Sequence, residues 1–360
     1  MPSRQNRKSI SLFVTMVIAV AAGCGVSYAG GKGNTMDDFF SAFFEKDGPN
    51  NAKVTLFVCL PDSNEMTVAE PNSLRKIVEQ ASGNANLPGN NHLVIITHGW
   101  FEDEPWPTEM AMAIKKKADS KKWLCGWYDW RQEARTLNPV DAAKYGRDIA
   151  GPVLGQRIID ISKKWQHIHL IGHSSGAWVI SEAAKVIARQ TGASIHITFL
   201  DAFIPPFWKE NKLGDLGEPN IPFWAEHYFT SDISLGTTAK QLKHAYNVDI
   251  TDITPGNIPG FSNHRFPFHW YYATITGQYA PKQKYEGKKL FTHIGNMEYG
   301  FARSLETGWE GWHINKIVFA AGNKPVKIKS DKKPFDLFRW ISDTLPIKQE
   351  KKQTSPVKGQ

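Results

Sequence analysis

His167-Ile168-His169-Leu170-Ile171-Gly172-His173-Ser174-Ser175-Gly176-Ala177-Trp178 is the stretch on which the fold turns. An apolar, β-branched run from His167 to Ile171 meets a helix-forming run from Ala177 to Arg189, with only Gly172 to Gly176 between them. A chain that passes so abruptly from strand to helix crowds its own backbone, and glycines two places before and after the central serine relieve that crowding. The five residues therefore predict a nucleophile elbow. It exposes Ser174 at the carboxyl edge of a sheet and aims the Ser175 N–H at any oxygen that becomes charged beside it.

Outward from this turn the chain alternates. Lys53 to Leu60, His92 to Thr97 and Trp123 to Trp130 read as strands, and helices are expected over 73–81 and 108–122. A crossover helix is expected within 141–165, bent or interrupted at Gly151-Pro152. Ser194 to Leu200 completes the βαβ series, which implies an α/β fold with a mainly parallel sheet flanked by helices. In such a sheet, catalytic groups gather beyond the carboxyl ends of the strands. Tyr246 to Ile253 and Lys288 to Ile294 are further strand candidates, and Phe335 to Ser342 suits a short helix.

With 360 residues, 41% of them hydrophobic and 12% aromatic, the chain has enough apolar mass for one large core. We expect a main domain over 50–300, a C-terminal extension over 301–343 packed on it, and a disordered polar tail over 344–360. Much of the formal net charge of +8 sits at the two ends, on Arg4, Arg7 and Lys8 and on Lys348, Lys351, Lys352 and Lys358. Charge placed there argues against a nucleic-acid-binding face.

A basic start, an apolar run from Ile10 to Ala22 and then small residues make a secretory signal over 1–29, so export is expected. Two processing routes stay open: cleavage after Ala29, or lipid attachment at Cys24, which would bring membrane association. Cys59 and Cys125 either pair in an oxidising compartment or stand as two buried thiols. No CxxC or HExxH spacing occurs, so neither a metal nor another cofactor is expected. The sequence carries no signal for an oligomeric state.

A serine hydroxyl is a poor nucleophile until a base takes its proton and an acid orients that base. Asp201 directly follows the strand ending at Leu200 and falls at the same sheet edge as Ser174; Asp232, one strand later, is the alternative acid. His264, in a polar loop after Pro259-Gly260, is the candidate base, with His269 as its rival. After the strand His92 to Thr97 comes His98-Gly99-Trp100, where the glycine lets the chain turn the Trp100 N–H into the site. With Ser175 N–H it would form an oxyanion hole.

These segments resemble the pancreatic-lipase-like branch of the α/β-hydrolases. The resemblance rests on His98-Gly99-Trp100, on the Gly-His-Ser-x-Gly elbow at Gly172 to Gly176, on Leu200-Asp201, and on Asn263-His264 ahead of Tyr271, Tyr272 and Ile275. It implies the α/β-hydrolase fold, a triad of Ser174, His264 and Asp201, and hydrolysis of carboxylic esters through an acyl-enzyme. The chain departs from that branch at Ala202-Phe203, which stands in place of Pro-Ala, and in lacking a cysteine-bounded lid. The long aromatic run 202–263 is expected as an insertion near the active site, with Phe101, Phe203, Phe207 and Trp208 as a substrate wall that favours lipid-like acyl chains. Two alternatives remain at this level: acyl transfer to an alcohol or thiol, and a secreted binding protein that keeps the fold without turnover.

Overall fold

In a computed structural model, the structure describes residues 55–59, 66–68, 91–103, 105–119, 122–206, 208, 212–217, 223–231, 241–255, 263–305 and 321–331. The expected signal at 1–29 with Cys24, the helix at 73–81, Phe207, Asp232, the helix at Phe335 to Ser342 and the tail from 344 all lie outside them. Among the described residues no helix is long and apolar enough to cross a membrane.

The strands are β1 (Thr55–Cys59), β2 (Met66–Val68), β3 (His92–Thr97), β4 (Trp123–Asp129), β5 (His167–His173), β6 (Ser194–Leu200), β7 (Phe223–Phe229), β8 (Tyr246–Asp249), β9 (His293–Ile294), β10 (Met297–Glu298) and β11 (Val326–Lys327). Nine of them form one sheet in the order β11-β8-β7-β6-β5-β3-β4-β1-β2. The seven from β11 to β4 run parallel, and β1 and β2 close one end antiparallel. β3 and β5 are buried along their whole length, as near-continuous apolar runs at the centre of a parallel sheet must be.

The helices are α1 (Trp106–Lys117), α2 (Arg131–Ala134), α3 (Pro139–Tyr145), α4 (Gly151–Ile161), α5 (Gly176–Gln190), α6 (Phe266–Thr276) and α7 (Phe301–Ser304). α4 and α5 bury Leu154, Ile158, Ile180 and Ile187 with Leu93, Ile168 and Ile195 on one face of the sheet. On the other face, α1 and α6 bury Met110, Ile114, Phe268 and Trp270 with Val94, Ile171 and Tyr228. Three layers result, with the core split between the two faces of the sheet.

The crossover between β4 and β5 is interrupted where proline predicts it. α3 runs into a π-helical turn, Gly146–Ala150, and then into α4, with Pro152 in the first turn of α4. Pro152 has no N–H to give to the preceding turn, and the Gly151 N–H bonds instead to Gly146 C=O, five residues back, so the turn widens without breaking the helix. Gly151 and Gly155 face α5 so closely that a Cβ on either would lie within 2.8 Å of α5 atoms.

Three expectations are corrected. The run 202–263 is not a single insertion, because it contains β7 and β8; Phe223 and Trp224 open β7, and Trp224 is buried. The segment over 301–343 contributes β11, which pairs with β8, so part of the expected extension completes the sheet. Of Lys288 to Ile294 only β9 is strand, since Leu290 and Phe291 pack on the core and Phe291 C=O accepts the Trp270 indole N–H. Strand register sets Cys59 opposite Cys125, which is buried in β4.

Candidate active site

β5 delivers the chain to Ser174 at its carboxyl end, and α5 begins two residues later. Ser174 has φ +54°, the left-handed backbone that an elbow demands of its apex. Its N–H donates to Leu200 C=O at 3.1 Å, and its own C=O accepts from the N–H groups of Ala177 and Phe203, both at 3.1 Å. The elbow is thereby stitched to the end of β6 and to the loop after it. Ser174 is only 5% exposed, less open than the sequence suggested, because Gly99 lies against it: a Cβ at Gly99 would stand 2.6 Å from the serine Cβ.

Gly176 meets the loop after β3 still more closely. A Cβ there would lie 2.3 Å from His98 C=O, a backbone atom that cannot swing aside. Gly176→Ala is therefore expected to cost about 1–3 kcal/mol of stability, the usual range for forcing extra volume into a packed site. Urea denaturation against wild type measures it, and an unchanged midpoint would contradict this contact.

The loop after β3 is aimed by His98. Its Nε2 faces the Trp130 N–H at 3.2 Å and Asp129 Oδ1 at 3.4 Å, and its Nδ1 donates to Gly99 C=O at 2.9 Å. Gly99 C=O and Trp100 N–H belong to one planar trans peptide, so holding the oxygen on one side points the N–H to the other. Trp100 is anchored further by its indole N–H to Thr136 C=O at 3.0 Å. Among the described residues, no acceptor engages the backbone N–H of Trp100 or of Ser175.

Asp201 follows β6 directly, at φ +47° and fully buried. Its N–H donates to Tyr228 C=O at 2.8 Å, its Oδ1 accepts from the Thr230 N–H at 3.4 Å, and its Oδ2 meets His264 Nδ1 at 2.7 Å. His227 on β7 steadies the same corner: its Nε2 accepts the Ala202 N–H at 3.2 Å, while Nδ1 faces Asn247 Oδ1 at 3.3 Å. His264 stands just ahead of α6, where the Phe266 N–H donates to Asn263 C=O at 2.7 Å. Ser174, Asp201 and His264 thus arise from the ends of β5 and β6 and from the approach to α6. His269 lies on α6 beside Phe268 and Tyr285, with its pKa lowered to about 4 by burial first and then by the charge of Arg265.

Sequence reasoning missed Glu102. Its buried carboxylate accepts the Gly99 N–H at 3.2 Å and meets His173 Nδ1 at 3.1 Å, with the Arg265 guanidinium 3.7 Å away. Burial opposes its ionisation, but the charge and hydrogen bond of His173, with Arg265 and His98 beyond, bring its pKa down to about 2. His173 Nε2 donates in turn to His264 C=O at 2.9 Å. The sequence signal for His173 was present, since it is the residue before the elbow serine; Glu102 had none.

Of the expected wall, Phe203 is buried in the core and its C=O accepts the Trp178 indole N–H at 2.8 Å. Trp208 is half-buried, edge-on to Trp178, with the Arg147 guanidinium 4.3 Å above its ring. Phe101 has φ +53° and lies edge-on to Trp100.

One further group brings metal-ligand types together, His169, His196 and Glu226 on β5, β6 and β7. Their arrangement is that of a hydrogen-bonded core. The Glu226 carboxylate already accepts from Thr198 at 2.8 Å, Ser304 at 2.5 Å and Tyr228 at 2.8 Å, with His196 Nε2 at 3.2 Å. The two imidazoles stack face to face at 3.8 Å and 5°, so their in-plane lone pairs run side by side and do not converge on an ion.

Comparison with known proteins follows the same lines. A profile of the Lipase family matches residues 43–242. Hepatic triacylglycerol lipase of Bos taurus is 32% identical over 160 residues, which cover 42% of this chain and 31% of that protein. Pancreatic lipase-related protein 2 of Sus scrofa is 31% identical over 118 residues, or 31% of this chain and 23% of that protein. Pancreatic triacylglycerol lipase of Mus musculus is 28% identical over 152 residues, covering 41% and 30%. The chain spans about a third or less of the length of these curated relatives. Since the profile covers more than half of its residues, and the parallel sheet and its elbow agree, the chain belongs to the Lipase family.

Proposed function

We propose that this protein hydrolyses carboxylic esters of lipid-like acyl chains through a covalent acyl-enzyme on Ser174. Ser174 Oγ adds to the ester carbonyl carbon as His264 Nε2 takes its proton, and the oxyanion is received by the N–H groups of Trp100 and Ser175. Collapse breaks the ester C–O bond, and His264 returns the proton to the departing alcohol. Water then repeats the sequence on the acyl-enzyme and releases the acid. Asp201 keeps the imidazole in the tautomer with Nδ1 protonated and stabilises the cation that forms.

The observation that carries this reading is the 2.7 Å contact of His264 Nδ1 with Asp201 Oδ2 at the sheet edge where Ser174 holds its left-handed elbow. The names of the relatives, triacylglycerol lipases among them, support the ester class and the lipid-like chain. A fluorophosphonate probe is expected to label Ser174, and p-nitrophenyl esters to be cleaved with a preference that rises with acyl length. A well-folded protein that resists the probe would favour a binding module over an enzyme.

The acid is tested separately. Asp201→Asn is expected to lower kcat by about 10³ to 10⁴-fold, because the imidazole then loses both its tautomer and its counter-charge. Asp232→Asn is expected to leave kcat within about threefold; steady-state kinetics on the two variants decide, and the reverse pattern moves the acid to the later strand.

A further inference from the structure

We infer that Glu102 and His173 form a positioning pair that locks the candidate triad to its oxyanion loop, His173 by holding the His264 backbone and Glu102 by holding His173 and Gly99 together. This inference rests on the assignment of Ser174, Asp201 and His264 as the reacting set.

His264 has two attachments. Asp201 holds its ring at Nδ1, which fixes orientation, and His173 holds its backbone carbonyl at 2.9 Å, which fixes where the ring is hung. His173 is itself the residue before Ser174, so a shift of its ring would move the base relative to the nucleophile. Both of its nitrogens face polar partners, the Glu102 carboxylate and the His264 carbonyl, so the ring is held from both sides. At 3% exposure the ring is closed off from water, and the buried Glu102 carboxylate is in direct contact with it.

Glu102 does more than hold His173. The oxygen that meets His173 also accepts the Gly99 N–H, on the loop that presents Trp100 N–H, and the other oxygen faces Arg265, the neighbour of His264. One carboxylate thereby reaches the oxyanion loop, the elbow and the histidine segment, which are far apart in sequence. Trp106 and Phe268 pack edge-on to the His173 ring and leave it little room to turn. A base, a nucleophile and an oxyanion hole that share one buried anchor are set together before substrate arrives, which is where much of the rate of a positioned site originates.

The test is Glu102→Gln, which keeps length and removes charge, with turnover expressed per Ser174 that a fluorophosphonate titrates. Because a displacement of about 1 Å can cost 100-fold, kcat is expected to fall about 10 to 100-fold while KM stays within about threefold. His173→Gln is expected to fall similarly, and the double variant to lose little more than either alone, since each single change already breaks the shared unit. A purely structural role would instead lower the amount of titratable protein at constant kcat, or give independent, multiplying losses; either result overturns the pair. If Glu102→Gln does not fold, His173→Gln carries the same expectation by itself. Labelled wild type with unaffected variants sinks the pair alone, whereas wild type that resists the probe removes the site assignment and the pair with it.

Discussion

Ser174→Ala is expected to abolish ester turnover by a factor on the order of 10⁴ to 10⁶ while leaving the fold intact. The size follows from the role: without the hydroxyl no acyl-enzyme forms, and what remains is the acceleration that the oxyanion donors and substrate binding give to direct attack by water. Stability should hardly change, because alanine and serine meet the same left-handed backbone at φ +54° and the backbone hydrogen bonds to Leu200, Ala177 and Phe203 survive. The paired measurement is kcat/KM on a p-nitrophenyl ester alongside urea unfolding. A variant that stays folded and keeps more than a tenth of wild-type activity would place the nucleophile elsewhere.

The second large effect concerns acid. Six imidazoles, on His92, His167, His169, His196 and His227 in the sheet and on His269 in α6, are withdrawn from water, and burial is the leading cause that lowers the pKa of each; His92 and His269 are brought down to about 4, His196 and His227 to about 3. In the unfolded chain they titrate near 6.5, so between that value and the folded pKa the unfolded state binds the extra protons. Their contribution is intact above about pH 6.5 and is lost as pH falls toward the folded values. Each ring removes up to about 1.4 kcal/mol for every pH unit in that window, so six remove up to about 8 kcal/mol per unit. A typical domain has only about 5–15 kcal/mol in total, which predicts unfolding near pH 5.

Glu226 acts in the opposite sense. Burial raises its pKa despite hydrogen bonds from Ser304 and Thr198, so in the folded protein it regains a proton earlier and offsets part of the loss. Glu102 keeps its charge through this whole range and does not contribute to the slope. Unfolding free energies at pH 7.5, 6.5 and 5.5 should change with a slope of only about one to two protons over the first unit and about four over the second. His227→Asn should reduce the second slope by about one, and a wild-type value below about one proton there would refute the argument.

The sequence disclosed the fold where local signals and tertiary need coincide. β3 and β6 match the residues read as strands, and β5 ends and α5 begins within the elbow Gly172 to Gly176, because apolar runs and glycines act locally. β8 falls within the strand expected from Tyr246, but β7 was harder. Phe223 and Trp224 are as consistent with a lid as with a strand, and only their register beside β6 separates the two. In the candidate site, Asp201 and His264 were legible from position along the chain, and the structure brings them together. Glu102 was not, since Phe-Glu-Asp-Glu reads as a solvated acidic loop; what buries it is contact with His173, 71 residues away, and no local pattern encodes that. His98 was legible only as part of a motif, its service to the Gly99 carbonyl being a matter of ring geometry.

Four non-glycine residues among those described hold left-handed backbone, and three of them, Phe101, Ser174 and Asp201, sit around the candidate active site. Such a conformation costs an L-residue with a Cβ about 1–2 kcal/mol, so the protein carries a standing penalty concentrated where the candidate reactive groups stand. A selection for heat resistance that ignored activity would therefore be drawn to these positions first. Glycine at 101, 174 or 201 would relax the backbone and raise the melting temperature, and thermostability would be gained by dismantling the candidate constellation.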